Sequence, residues 1–202
     1  MYVSDCIPIS KPVRTTAPTL QQEPVTVAEA RKQCRIADSI TYHDEELAAL
    51  IQSAREMVEN DTGIVCYTGS HTYQMTEWPD GDLFELPDTR PVTSITSITY
   101  LDTDGTSQTL ATTVYQLQTG AVKQFVRLKY GQSWPALRGD IHGITVTFVA
   151  GYATVLAVPP MVKLAVLLKL HCEWLLKNEL DATTQEEGYA RVVNRLSRRT
   201  YP

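Results

Sequence analysis

The chain has 202 residues, 43% of them apolar and 20% charged, with a formal net charge of −5. That length carries one domain with a sizeable core, or a core with a smaller insertion, and the composition is that of a globular, soluble chain. The acidic balance excludes a general nucleic-acid-coating role, which needs clustered Lys and Arg against the phosphates.

Residues 1–24 carry Pro8, Pro12, Pro18 and Pro24 among Ser and Thr. This predicts an extended N-terminal arm outside the core, and a loose terminus fits the composition as well as a partner-binding arm does. Residues 25–63 read as a first helical part. Thr26-x-x-Glu29 is a capping box, in which each side chain satisfies an orphan N–H of the first turn. Val27, Ala30, Cys34 and Ala37 make the apolar face of that helix. Asp44 is placed to cap a second helix with the stripe Leu47, Leu50, Ile51, Ala54, Met57 and Val58, turning Arg55, Glu56 and Glu59 outward. Gly63 supplies the left-handed residue that ends it.

From 64 to 150 the apolar period switches to two, and the stretch reads as an inserted all-β subdomain of short antiparallel strands. Strands are predicted within 64–78, at 83–86, from Val92 to Leu101 with a bulge, and near 115–118, 125–130 and 144–149. Asp104-Gly105 is a hairpin signal and Pro79-Asp80-Gly81-Asp82 a turn.

Residues 151–180 hold one long helix that completes the helical part. Pro160 suits its first turn. Met161, Leu164, Ala165, Leu168, Cys172 and Leu175 fall at helical spacing, and Val162, Val166, Leu167, Leu170 and Trp174 widen the stripe almost to the full circumference. A helix apolar on so many sides belongs at the centre of a bundle or between subunits. Val162, Val166, Leu170 and Trp174 are the candidates for lateral packing between subunits. Lys163, Lys169, His171 and Glu173 interrupt the run short of the roughly 20 residues a membrane span requires, so no membrane partner is expected. Residues 181–202 read as a C-terminal arm. Tyr189, Val192, Val193 and Leu196 lie on one side of an amphipathic segment, with Arg191, Arg195, Arg198 and Arg199 on the other. The fold class is therefore α+β: an antiparallel helical bundle with an inserted all-β subdomain.

Candidate chemistry is thin. His43-Asp44-Glu45-Glu46 could suggest metal ligands, but acidic residues at a helix start answer the helix dipole. Asp102-x-Asp104-Gly105 has Thr113 where a calcium loop needs its bidentate Glu, so a hairpin turn is the better reading. His171-Cys172 has no second ligand at i+4 and reads as a core or interface pair. Cys6, Cys34, Cys66 and Cys172 form no C-x-x-C pair and read as reduced thiols of a cytosolic protein, three of them in or near the core. Met1 to Asp5 lack the basic start and apolar run of a signal peptide. There is no G-x-S-x-G elbow and no phosphate-cradling Gly-rich loop. The sequence calls for no enzyme activity, metal or cofactor.

One resemblance runs through residues 24–178. Pro24-Val25-Thr26-Val27-Ala28-Glu29-Ala30, Arg35-Ile36, Asp44-Glu45, Leu50-Ile51, Ala54-Arg55, Val58-Glu59 and Thr62-Gly63 resemble the opening of tailed-phage head–tail connector proteins. Val149-Ala150-Gly151-Tyr152, Val158-Pro159 and Lys163-x-Ala165 resemble the closing half of that family, whose two blocks flank a β-rich middle. Cys34 stands where the family tends to carry Leu, and Lys177-Asn178-Glu179 where an aromatic-Asn-Arg ending is usual. The resemblance implies a non-enzymatic virion protein of the neck, made in the host cytoplasm. It implies a ring, typically of twelve copies, below the portal protein. Such a ring extends the channel for double-stranded DNA and provides the attachment surface for the next neck or tail protein, a stopper or tail terminator. By position and chemistry, Tyr189, Arg191, Val192, Arg195, Leu196, Arg198, Arg199 and Tyr201 match a portal-docking segment, and removal of 189–202 is expected to spare the fold. A solvated helix face and contact with DNA or a membrane surface are the other readings of the arginine stripe. The alternative for the whole chain is a ligand- or carbohydrate-binding module with Tyr73, Trp78, Tyr100 and Trp134 as its stacking surface.

Overall fold

A computed structural model describes Val13–Arg14 and residues 23–87, 89–120, 123–140 and 142–197. Among these residues are four α-helices and two antiparallel sheets, a mixed α+β fold. The chain divides into two units. One gathers residues 23–67 and 152–197 and holds all four helices; the other gathers Val13–Arg14 and residues 68–151 and holds the strands.

In the helical unit, α1 (Val27–Gln33) starts on the predicted capping box. The Glu29 N–H donates to Thr26 Oγ1 at 3.2 Å, and the Thr26 N–H donates to Glu29 Oε2 at 2.7 Å. The Thr26 N–H and the Thr26 hydroxyl, which also donates to Glu29 Oε2 at 2.8 Å, hold the Glu29 carboxyl below its ordinary range. The helix ends sooner than its apolar spacing suggests, because Arg35 turns left-handed at φ 57°. Ala37 is consequently exposed, and Ile36 packs on the core in its place. Helix α2 (Asp44–Thr62) stops at Gly63, φ 67°. Asp44 does not cap it. His43 occupies the cap, and the Asp44 carboxylate instead accepts from Arg31 Nε and Nη2 at 2.8 and 2.5 Å.

Helix α3 (Pro160–Lys177) follows a single 3₁₀ turn (Val155–Ala157), and α4 (Thr183–Ser197) packs on it. Helices α1, α2 and α4 all contact α3, which explains its wide apolar circumference: neighbours from the same chain cover most sides. Leu47, Ile51 and Val58 of α2 meet Val162, Val166 and Leu170 of α3 and Leu196 of α4 in one core.

The strand unit contains a five-stranded sheet in the order β1 (Val13–Arg14), β2 (Gly69–Met75), β8 (Ile144–Ala150), β4 (Val92–Leu101), β5 (Ser107–Thr109). A three-stranded sheet has the order β3 (Leu83–Leu86), β7 (Gln124–Leu128), β6 (Tyr115–Thr119). Strict alternation puts Ile144, Val146, Phe148 and Ala150 on the buried face of β8, as the period of two requires. The irregular spacing in β4 is two register shifts, at Val92/Ser94 and Ile95/Ser97. The two sheets share a core that includes Tyr73, Phe84, Ile98, Val126 and Phe148.

Candidate interaction surfaces and a buried arginine node

The C-terminal segment is an integral helix. On α4, Leu196 is buried, and Tyr189 and Val192 pack against the helical core. The Tyr189 hydroxyl donates to Asp61 Oδ2 at 2.6 Å, and Lys169 Nζ sits 5.6 Å from its ring centroid. Burial, reinforced by Asp61, pushes the Tyr189 phenol up. These apolar residues are thus committed to their own subunit, and the segment as far as Ser197 packs as a helix on the core where an arm was expected. Its polar side is different: Arg191 and Arg195 are exposed, Arg191 pairing with Glu187 at 3.0 Å. Arg198, Arg199 and Tyr201 lie outside the described residues.

The lateral-packing candidates on α3 are placed similarly. Val162, Val166 and Leu170 are wholly buried in the chain's own core, so no part of them is left for a neighbour. Trp174 is half-buried, packed against that core, with its ring 5.1 Å from the His43 ring. The apolar residues that do reach solvent around α3 are others. Leu156, Met161 and Leu164 lie at its N-terminal end, and Leu176 and Leu180 at its C-terminal end.

A buried ionic node was missed by pattern reading. Arg55, placed outward by the helical stripe, is only 5% exposed. Its Nε donates to Glu23 Oε2 at 3.1 Å, its Nη1 to Glu59 Oε2 at 2.9 Å and its Nη2 to Glu56 Oε1 at 3.4 Å. The guanidinium lies 5.0 Å from the Tyr67 ring centroid, within cation–π range. Glu59 turns inward as well, accepting from the Cys66 N–H at 2.7 Å. Burial works against the Arg55 charge, but Glu59, Glu23, Tyr67 and Glu56 outweigh it and raise its pKa. Burial also pushes the Cys66 thiol up to about 12, so it is held as a neutral thiol. The node ties α2 to the segments on both of its flanks. The signal available in the sequence was the Arg55/Glu59 spacing, which reads equally well as an exposed i,i+4 pair.

The remaining candidates are structural. Asp44 is held by Arg31, while Glu46 contacts Lys177 and lies 3.2 Å from His43 Nδ1. The Asp102 carboxylate accepts from the Asp104 and Thr106 N–H groups and from Gln108 Nε2, which fixes the β4–β5 hairpin. Cys172 is buried, and burial lowers the His171 pKa. Among the described residues no three His, Cys, Asp or Glu side chains come together as a metal site needs, and no helix is long and apolar enough to cross a membrane. The aromatic stacking surface of the binding-module reading is used internally. Tyr73 is buried, Trp78 stacks on Trp134 at 4.6 Å, and Phe84 and Tyr100 close on the pair.

The class these features define is an α+β chain in which a strand unit interrupts a helical unit, with an exposed arginine face and exposed apolar ends on its central helix. No protein-family model matches the chain, and comparison with curated proteins gives no match. Solved structures do share the fold. A chain in the neck of an empty gene transfer agent (GTA) particle, computed with C6 symmetry, aligns with TM-score 0.74 and 20% identity over 96% of this chain and 98% of its own length. In the neck of the native particle, computed with C12 symmetry, the match has TM-score 0.70 and 20% identity over the same shares of both chains. A chain in the native GTA virion aligns with TM-score 0.65 and 22% identity over 82% of this chain and 84% of its own. At these identities the likeness establishes the fold, nearly from end to end.

Proposed function

We propose that this chain is a structural protein of the neck of a tailed-phage-like particle, a head–tail connector without enzymatic activity. The end-to-end likeness to chains from a particle neck carries this reading. The residues that resemble connector proteins, on both sides of the β insertion, support it independently. In this reading the helices act as an antiparallel bundle, and about twelve copies, the number typical of the resembled family, form a ring below the portal. The ring extends the DNA channel and offers its far side to the next neck or tail protein. A net charge of −5 suits a channel wall along which DNA slides, since an acidic lumen gives phosphates nothing to adhere to. The portal-facing contact is assigned to the polar side of α4, Arg191 and Arg195 with Arg198, Arg199 and Tyr201 beyond them, through arginine–carboxylate forks.

The test mixes the purified chain with portal rings and images the product by electron microscopy. A ring of added density on one side of the portal is expected. In particle-producing cells that lack the chain, filled heads and finished tails should accumulate unjoined. Joined particles without the chain, or portals that never bind it, overturn the reading.

A further inference from the structure

Large apolar side chains scattered singly over a surface need no explanation, but here they are grouped. Among the described residues eight large hydrophobics are exposed, and six of them are Tyr42, Leu156, Met161, Leu164, Leu176 and Leu180. All six belong to the helical unit and fall at the two ends of α3. Leu156, Met161 and Leu164 mark the N-terminal end, where Leu156 is 91% exposed. Leu176 and Leu180 mark the C-terminal end. Tyr42 joins them there: its ring is 5.1 Å from that of His43, which is 5.1 Å from that of Trp174, and Glu46 just beyond contacts Lys177. Met161 and Leu176 are about 22 Å apart along the helix, at a rise of about 1.5 Å per residue.

The charges around the two ends differ in sign. The first turn of α3 has no acidic residue and carries Lys163. Lys163 and Lys32 both lie close enough to Glu29, an exposed carboxylate at the same end, to lower its pKa, so two cations stand there against one anion. The other end exposes Glu45, Glu179 and Asp181 against one exposed cation, Lys177, which contacts Glu46. The α3 dipole adds partial positive charge to the first end and partial negative charge to the second.

We propose that these two ends are the complementary halves of a head-to-tail contact between copies of this chain. The Leu156–Met161–Leu164 end of one copy seats on the Tyr42–Leu176–Leu180 end of the next. Two distinct patches of opposite charge on one rigid element are what a heterologous interface requires, and such interfaces build rings where the rotation from copy to copy closes and filaments where it does not. A patch that met its own kind would bring like charges together. The inference deepens the ring reading above and names the surface that would build the ring.

The test uses the full chain in two variants. One carries Leu156→Asp with Leu164→Asp; the other carries Tyr42→Asp with Leu180→Asp. Sedimentation velocity follows self-association at low salt up to about 0.5 mM, and circular dichroism checks that each variant is folded. The wild type should grow in mass with concentration, and less so as added salt screens the charges. Each variant alone should lose at least tenfold in association constant. Their equimolar mixture should form heterodimers that grow no further, since each pair retains one intact contact. The single variants Leu156→Asp and Tyr42→Asp, at almost fully exposed side chains, serve if a double variant misfolds. A wild type that stays monomeric, a variant that still self-associates alone, or a mixture without heterodimers overturns the inference. A neck ring that survives both variants rejects this interface and leaves the neck reading standing. Head-to-tail association by a chain that ignores portals does the reverse.

Discussion

Replacing Arg55 with methionine keeps much of the aliphatic stem and removes the guanidinium, so it isolates what the ionic node contributes. The Arg55 side chain is 6% exposed, and its partners Glu59 and Glu23 are 14% and 24% exposed. Removing one member of a buried pair costs about 3–5 kcal/mol, because the other charge stays buried without its partner. Since both carboxylates keep some access to water, we expect the lower end, about 3 kcal/mol. Urea unfolding at 222 nm is the assay, since all four helices lie in the unit that holds Arg55. With a slope near 2 kcal/mol/M, the midpoint should fall by about 1.5 M. The sign of the pH dependence separates electrostatics from packing. In the variant, a carboxylate buried without its cation has a folded pKa above its unfolded one. Protonation then favours the fold, so the cost should shrink as pH drops from 8 toward about 4.5. Adding Glu59→Gln, whose amide oxygen can still accept from the Cys66 N–H, should recover part of the loss. A cost under about 0.5 kcal/mol, or one that does not change with pH, refutes the assignment of an ionic clasp, because pure packing loss carries no proton linkage.

Three further outcomes follow from the helical unit. Thr26→Ala removes the acceptor of the Glu29 N–H and should cost about 1 kcal/mol in urea unfolding. Leu196→Ala should cost about 2–4 kcal/mol, whereas Arg191→Glu with Arg195→Glu should stay within about 0.5 kcal/mol; equal effects in thermal melts would contradict the packing of α4. His171 is held below its ordinary value first by burial, so it contributes stability fully present above about pH 6.5 and lost as pH falls through the folded value. His171→Gln should therefore flatten the decline in stability between about pH 7 and 5, measured as urea midpoints across that range.

What could be read in the sequence was what neighbouring residues decide among themselves. Thr26 and Glu29 complete each other within one turn, Pro160 opens α3, and the alternation of Ile144, Val146 and Phe148 fixes which face of β8 is buried. What could not be read was decided by residues distant in sequence. Arg55 points inward because Glu23, 32 positions earlier, and Tyr67 wait for it there, and no periodicity on α2 records either. Helix α4 begins at Thr183, earlier than its apolar residues suggest, because its first turns are largely solvent-facing and polar. Gly188 sits within it, where an added Cβ would lie 3.8 Å from a Leu168 methyl. The same limit applies to the helix read as packing between subunits. A helix apolar all round signals several neighbours, but which of them belong to the same chain depends on how α1, α2 and α4 pack around it. That packing consumes Val162, Val166 and Leu170 and leaves the ends exposed. The pairing of Val13–Arg14 with His71 and Thr72 is likewise non-local, and two residues are too few for an alternation to show.

Residues 68–151 leave and rejoin the helical part of the chain through β2 and β8, whose residues Gly69 and Ala150 are direct cross-strand partners. Residues so paired stand about 5 Å apart. Once the insertion has folded, the helical segments before and after it are therefore joined as if by a tight turn. Loop closure costs about 0.6 kcal/mol for each doubling of loop length, so the folded insertion relieves the helical core of several such doublings. Translation favours the same sequence of events, since residues 68–151 emerge before α3 and α4 exist to pack. The insertion is thus a prefabricated closure for the chain on either side of it. Evolution can lengthen, trim or exchange its strands without disturbing the helices, provided the two strands at the junction stay in register.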